Sequence, residues 1–266
     1  MASEPEQTGP LTAFDVGNTS VKAALRTADG WQQVCRVATQ PTESLAQRLA
    51  EAFPDDLLDS AREGRCVACS VQPAANGALK SFWREAGGAG EVEFFGIDLA
   101  IPIETRLREP EKAGPDRLFL ALGAKALHGA PCIVASAGTA ITVDWVDAEG
   151  RFAGGAIAPG FHLAAQALHE KTAFLPLVEP AVPHAEAGPV GADTREAIER
   201  GIYWFCAGGV LALISRYRKG ENCPGAPVVC TGSDAPLLLP ALAQTGAAHE
   251  PALLFSGMDV ALGLPA

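Results

Sequence analysis

One grammar of strands and helices runs twice along this chain. Residues 12–14 read as a strand that enters the turn Asp15-Val16-Gly17-Asn18-Thr19, with 21–26 as the returning strand and 30–37 as a third after Asp29-Gly30. Residues 44–53 then carry apolar side chains at helical spacing behind Thr42, a candidate cap. A short buried strand follows at 65–71, a helix over 76–86 that stops at Gly87-Gly88, and a strand over 90–95. From Pro131 the order restarts: a strand at 132–135, the Gly138-Thr139 turn, strands at 141–146 and 151–157 around Ala148-Glu149-Gly150, a helix over 161–171, a long helix over 194–218, and a strand at 228–230 before Thr231-Gly232. The fold class expected is therefore α/β, two duplicated domains of β-β-β-α-β-α pattern with a boundary near Gly129. That division gives a flexible tail over 1–10 and domains over 11–128 and 129–266.

Composition narrows the function. With 48% hydrophobic residues among 266, the chain has material for such cores. A formal net charge of −11 and no basic run exclude a nucleic-acid partner, although backbone N–H groups and a metal can still hold an anionic nucleotide locally. Residues 1–10 lack the basic start and apolar stretch of a signal peptide, and no apolar run reads as long enough to cross a bilayer, so a cytoplasmic protein with no membrane partner is expected. Of seven cysteines, Cys66, Cys132, Cys206 and Cys230 lie in apolar segments and read as buried free thiols. Cys66 and Cys69 form a CxxC without a second pair, and His162, His169 and His184 lack metal-ligand spacing. Residues 179–192, rich in Pro, Ala and Gly, read as a loop.

The chemistry is concentrated at the corners of the repeat. In Asp15-x-Gly17-Asn18-Thr19-x-x-Lys22 a carboxylate ends a buried strand, where it can hold Mg²⁺, and the turn presents N–H groups and side-chain donors to a polyphosphate. A hairpin with a polar turn is the plainer reading, but Gly138-Thr139-Ala140-x-Thr142 occupies the matching corner of the second half. Neither a P-loop nor a Rossmann fingerprint is present. A polar stretch over 104–115 feeds a buried helix at Gly114-Pro115-Asp116, where Asp116 is suited to accept a proton and is equally explained as a helix cap.

The duplicated plan with paired turns resembles the superfamily of actin, heat-shock ATPases and sugar kinases, whose ribonuclease H-like, actin-like domains hold a nucleotide in an interdomain cleft. Within it the chain resembles the type III pantothenate kinases, also described as the Bvg accessory factor family. The motifs that carry the likeness are Asp15-Val16-Gly17-Asn18-Thr19 with Lys22, Gly114-Pro115-Asp116-Arg117, Gly138 to Asp144, and Gly154-Gly155-Ala156-Ile157-Ala158-Pro159-Gly160, in that order.

The resemblance implies ATP-dependent phosphorylation of pantothenate to 4'-phosphopantothenate, with ATP and Mg²⁺ and a monovalent cation, K⁺ or NH₄⁺. It makes Asp116 the catalytic base and Asp15 the organiser of Mg²⁺, and puts Gly17, Asn18, Thr19, Lys22 and Thr139 around the phosphates. Gly114, Asp116, Arg117 and Leu107 fall at the pantothenate pocket. Thr194 would contact pantothenate from a neighbouring subunit, which implies a homodimer; as a lone residue it is equally a helix cap. Gly154-Gly155 and Pro159-Gly160 read as backbone-geometry residues rather than ligands. Two positions depart from the family. Ser136 stands where an Asp holds the monovalent cation, and Leu107 where a Tyr lines the substrate pocket. The alternatives are a same-fold kinase for another small alcohol and a non-catalytic nucleotide-binding regulator.

Overall fold

A computed structural model describes residues 10–55, 57, 64–184, 188 and 190–265. Residues 1–9 of the expected tail and 185–187 and 189 of the expected loop lie outside the described residues. The first sheet contains β1 (Leu11–Val16), β2 (Ser20–Thr27), β3 (Gly30–Ala38), β4 (Arg65–Ser70) and β5 (Glu93–Phe94) in the order β3-β2-β1-β4-β5. The second contains β6 (Cys132–Ala137), β7 (Ala140–Val146), β8 (Phe152–Pro159), β9 (Val228–Thr231) and β10 (Ala248–His249) in the order β10-β9-β6-β7-β8. Read from the other edge, the second sheet has the order of the first. The directions match as well: β1 pairs antiparallel with β2 and parallel with β4, and β6 pairs antiparallel with β7 and parallel with β9. The duplication expected from the sequence is thus present strand by strand.

The described residues fall into two compact units, one drawn from Met1–Pro102, Lys112–Phe119 and Leu254–Ala266, the other from Ile103–Glu111 and Leu120–Leu253. This differs from a single cut near Gly129. The closing helix α7 (Leu253–Ala261) belongs, from Leu254 on, to the first unit because its side chains have partners there. Phe255 packs on Trp31 with ring centroids 5.3 Å apart, and Asp259 accepts hydrogen bonds from Arg26 Nε at 2.7 Å and Trp31 Nε1 at 2.8 Å.

Each unit has its own core. In the first, Phe14 of the central strand is fully buried among Phe53, Phe82 and Trp83, with centroid separations of 6.2 to 6.5 Å. Helices α1 (Leu45–Ala52) and α2 (Pro73–Glu85) supply Leu45, Leu49 and Leu79 to the same core. Burying one such aromatic ring contributes about 2 to 3 kcal/mol. The side chain after Phe14 points to the opposite face of the strand, which carries the Asp15 carboxylate away from the aromatic core. In the second unit, α4 (Phe161–Lys171), α5 (Thr194–Gly220) and α6 (Ala235–Leu242) cover the sheet.

Several local expectations need correction. Thr42 starts a short 3-10 turn instead of capping α1, whose preceding residue is Ser44. The strand expected over 90–95 is only Glu93–Phe94, because Gly90 takes φ of 64°, a left-handed conformation outside strand geometry. Cys206 is half-buried rather than buried. Helix α5 is, by length and composition, apolar enough to cross a bilayer, contrary to the sequence reading; one face of it, Ile198, Ile202, Val210 and Ile214, is packed into the second core.

Candidate functional site

Asp15 sits at the C-terminal end of the central strand of the first sheet, directly opposite Lys22 in the β1–β2 ladder. Lys22 Nζ donates to Asp15 Oδ2 at 3.2 Å, so the structure pairs these two predicted residues with each other. Gly17 N donates to Ser20 O at 3.0 Å and closes a tight turn that leaves Asn18 and Thr19 exposed. On the other side of Asp15, in the parallel ladder, lies Cys69, whose thiol is held far up by burial and then by the charges of Asp15 and Asp116.

Asp116 belongs to the same unit. Helix α3 (Pro115–His128) starts one residue before it, so Asp116 is the second helical residue and its carboxylate turns back over the helix start. A Cβ at Gly114 would meet Asp116 Oδ1 at 2.5 Å, which is why a residue without a side chain stands there. Burial is the main cause that pushes the Asp116 carboxyl above the usual range. A hydrogen bond from the Arg117 N–H lowers it, the charge of Asp15 raises it again, and the Arg117 guanidinium lowers it. Asp116 and Asp15 thus share one electrostatic environment, with Arg117 in the first turn of the same helix as Asp116 and Lys22 paired to Asp15. The charge of Asp15 is one cause that raises the Asp116 carboxyl, and a cation added beside the two carboxylates relieves that repulsion.

The second unit holds the remaining predicted residues. Thr139 is exposed at the turn after β6, where Gly138 N donates to Ala140 O at 3.0 Å. Gly160 N donates to Thr139 O at 3.0 Å, and a Cβ on Gly160 would collide with Gly138 O, which makes Gly160 a close-approach residue as expected. Ser136 occupies the position of β6 that Asp15 occupies in β1, paired with Thr142 on one side and Thr231 on the other. The Thr142 hydroxyl is buried with no hydrogen-bond partner, while Thr231 donates to Glu250 O at 2.7 Å. This row offers hydroxyl oxygens where the first sheet offers a carboxylate and an ammonium. Such oxygens suit a weakly held monovalent ion and not a divalent one.

Leu107 follows a segment that docks on β8: Phe152 N donates to Glu104 O at 2.8 Å and Arg106 N to Phe152 O at 2.9 Å. Leu107 Cδ2 lies 3.0 Å from where a Cβ of Gly154 would be, and Gly154 has φ of 91°. Thr194 is exposed and begins α5, but the cap is Asp193, whose carboxylate accepts from Glu196 N at 2.9 Å; the cap explanation of Thr194 is removed. Asp144 of β7 is a buried carboxylate of the second sheet that the motif reading left without a role. Among the described residues no group of three or more His, Cys, Asp or Glu side chains is arranged as metal ligands.

Comparison with known proteins places the whole chain. A family model for type III pantothenate kinase matches residues 11–216. A type III pantothenate kinase of Phenylobacterium zucineum is 35% identical over 260 residues, covering 93% of this chain and 95% of the relative. One from Maricaulis maris is 35% identical over 225 residues, covering 84% and 85%. Among solved structures, a Campylobacter jejuni protein assigned to the Baf family of transcriptional activators superimposes with a TM-score of 0.58 at 17% identity, over 95% of this chain and 97% of its own. A Sinorhizobium meliloti protein assigned as a 2-dehydro-3-deoxygalactonokinase gives 0.52 at 14% identity, over 95% of each. At these identities the two structures speak to the fold alone.

Proposed function

As this chain belongs to the type III pantothenate kinase family, we propose that Asp116 is the proton acceptor through which it phosphorylates pantothenate. The reaction takes the γ-phosphoryl group of ATP and gives 4'-phosphopantothenate, the first step of coenzyme A biosynthesis. The observation that carries the assignment is a largely buried carboxylate at the first turn of a helix, raised by burial and sensing the charge of Asp15. A base needs that environment: desolvation that raises its affinity for a proton, with a neighbouring N–H that favours the ionised form.

In the proposed reaction the Asp116 carboxylate accepts the proton of the primary hydroxyl of pantothenate as that oxygen bonds to the γ-phosphorus. The bond from phosphorus to the β,γ-bridging oxygen breaks, and ADP leaves. Asp15 would hold Mg²⁺, which neutralises phosphate charge; with so few protein carboxylates at hand, phosphate oxygens and water would complete its shell. Lys22 and the Gly17-Asn18-Thr19 turn serve the phosphates, and Thr139 contributes a hydroxyl. Arg117 pairs with the pantothenate carboxylate, for which its planar fork is suited. Leu107 lines the substrate pocket beside Gly154, and Ser136 leaves only a weak monovalent-cation site.

A homodimer is the proposed assembly. Phe205 and Phe174 are 86% and 94% exposed in the second unit, and Ile157 and Trp204 are exposed as well, large apolar side chains that a partner surface would cover. Thr194 heads the same helix as Phe205 and would reach a neighbouring subunit's substrate. The cytoplasm is the proposed location. The test is phosphate transfer from ATP to pantothenate with Mg²⁺, with and without K⁺ or NH₄⁺, set beside Asp116→Asn. Retained nucleotide binding with lost turnover in the variant supports the base; equal turnover rejects it.

A further inference from the structure

The two repeats brace their turns differently, and the difference singles out a residue with no assigned role. The residue after the third strand is Thr39 in the first unit and Gly160 in the second. Both donate a backbone N–H to the turn, Thr39 to Thr19 O and Gly160 to Thr139 O, each at 3.0 Å. At Gly160 the turn carbonyl of Gly138 comes so close that no side chain fits. At Thr39 a side chain does fit: its hydroxyl donates to Gly17 O at 2.7 Å, and the residue is fully buried.

We propose that Thr39 is a positioning residue for nucleotide, fixing the peptide plane that aims the Asn18 N–H at a phosphate; this rests on the reading of the 17–19 turn as a phosphate grip. In a planar trans peptide the C=O of one residue and the N–H of the next point in opposite directions. Tying Gly17 O to the Thr39 hydroxyl therefore turns the Asn18 N–H away from β3. Thr39 is itself held. The Arg48 guanidinium on α1 donates to Ala38 O at 2.9 Å, Thr39 O at 3.2 Å and Pro41 O at 2.8 Å, and to Ser44 Oγ at 2.6 Å. The chain of support runs from α1 through Arg48 and Thr39 to the turn. Preorganised N–H groups act on phosphate only when they need not reorient on binding.

The test compares Thr39→Val, which keeps the shape and loses the hydroxyl, with Thr39→Ser, which restores it, and with Arg48→Lys, which keeps the charge and cannot span three carbonyls. Steady-state kinetics with ATP and pantothenate varied separately are joined by calorimetric binding of MgADP. Thr39→Val is expected to weaken MgADP binding and raise the KM for ATP about tenfold, the worth of one well-placed hydrogen bond. The KM for pantothenate stays unchanged and Thr39→Ser returns to wild type. Arg48→Lys, which leaves the core untouched, is expected to show the same ATP-selective loss in smaller measure. Unchanged MgADP affinity in Thr39→Val, or equal losses for both substrates that Ser does not rescue, overturns the proposal. So does an unfolded Thr39→Val combined with Arg48→Lys of normal ATP dependence. The binding arm reads nucleotide directly, so a wild-type chain that bound MgADP without phosphorylating pantothenate would defeat the functional reading and leave this one standing or falling on the variants.

Discussion

Lys22 stands directly across the β1–β2 ladder from Asp15, its ammonium 3.2 Å from the carboxylate. The pair is partly open to water, so its own contribution to stability is about 1 kcal/mol or less. Its charge offsets that of Asp15, the carboxylate proposed to hold Mg²⁺. Lys22→Met is expected to raise the KM for ATP roughly fivefold to tenfold, because one positive charge at the phosphate turn is gone. Initial rates at varied ATP check this; an unchanged KM removes Lys22 from the phosphate site.

Asp116→Asn is expected to lower kcat by about 10² to 10⁴ while MgATP still binds. It is also expected to stabilise the fold at neutral pH. A carboxyl whose folded value lies above its unfolded value adds stability in full below the ordinary carboxylate range, and that gain disappears as pH rises through the folded value. Above that window the native chain carries a desolvated charge, and Asn removes it. Thermal unfolding at pH 7 should show a higher Tm for the variant, with the difference shrinking or reversing near pH 4.

Ser136→Asp places a carboxylate in the hydroxyl row of Ser136, Thr142 and Thr231. Activation by K⁺ should then appear at concentrations about tenfold lower than in the native chain, since a carboxylate binds the ion more strongly than a hydroxyl. Rates measured against K⁺ at constant ionic strength decide it, and superimposable curves would exclude Ser136 from any cation site.

Asp259→Ala removes the acceptor shared by Arg26 and Trp31 and so loosens α7 from the first sheet. Asp259 is 3% exposed, and burial raises its carboxyl more than the bonds from Arg26 and Trp31 lower it, so the native pair is held at a desolvation cost. Breaking it is expected to cost about 2 kcal/mol, at the low end for a buried pair because Arg26 keeps partial contact with water. Denaturant unfolding measures this, and kcat in folded protein should be unaffected.

Phe205→Glu puts a charge in the exposed apolar surface of α5. Sedimentation velocity should find a dimer for the native chain and a monomer for the variant, with activity falling as Thr194 loses its neighbour. A native monomer of full activity would remove the dimer from the reading.

Local and periodic features were legible in the order of residues alone. Alternating and helical apolar patterns, with Gly and Pro at their ends, set most elements up to Gly232, as at α3, expected to start at Gly114-Pro115-Asp116 and found at Pro115–His128, while α6, β10 and α7 beyond it went unread. Repetition of those patterns was enough to give the duplication, though not the order of strands within each sheet. The motif spacing put Asp15, Lys22 and Asp116 forward as chemical residues: Asp15 as a carboxylate ending a buried strand, Lys22 on the returning strand of the same turn, and Asp116 at the start of a buried helix behind Gly114. The remainder depends on groups far apart in the chain that folding alone brings together. Arg26 and Trp31 meet Asp259 more than 220 residues on, and no periodicity predicts that the last helix returns to the first unit. Thr39 looked like any residue after a strand until its hydroxyl was found on Gly17 O, and Cys206 looked buried by composition alone. The environment that raises Asp116 is likewise a product of packing: burial and the charge of Asp15 act through space, and the order of residues does not contain that distance.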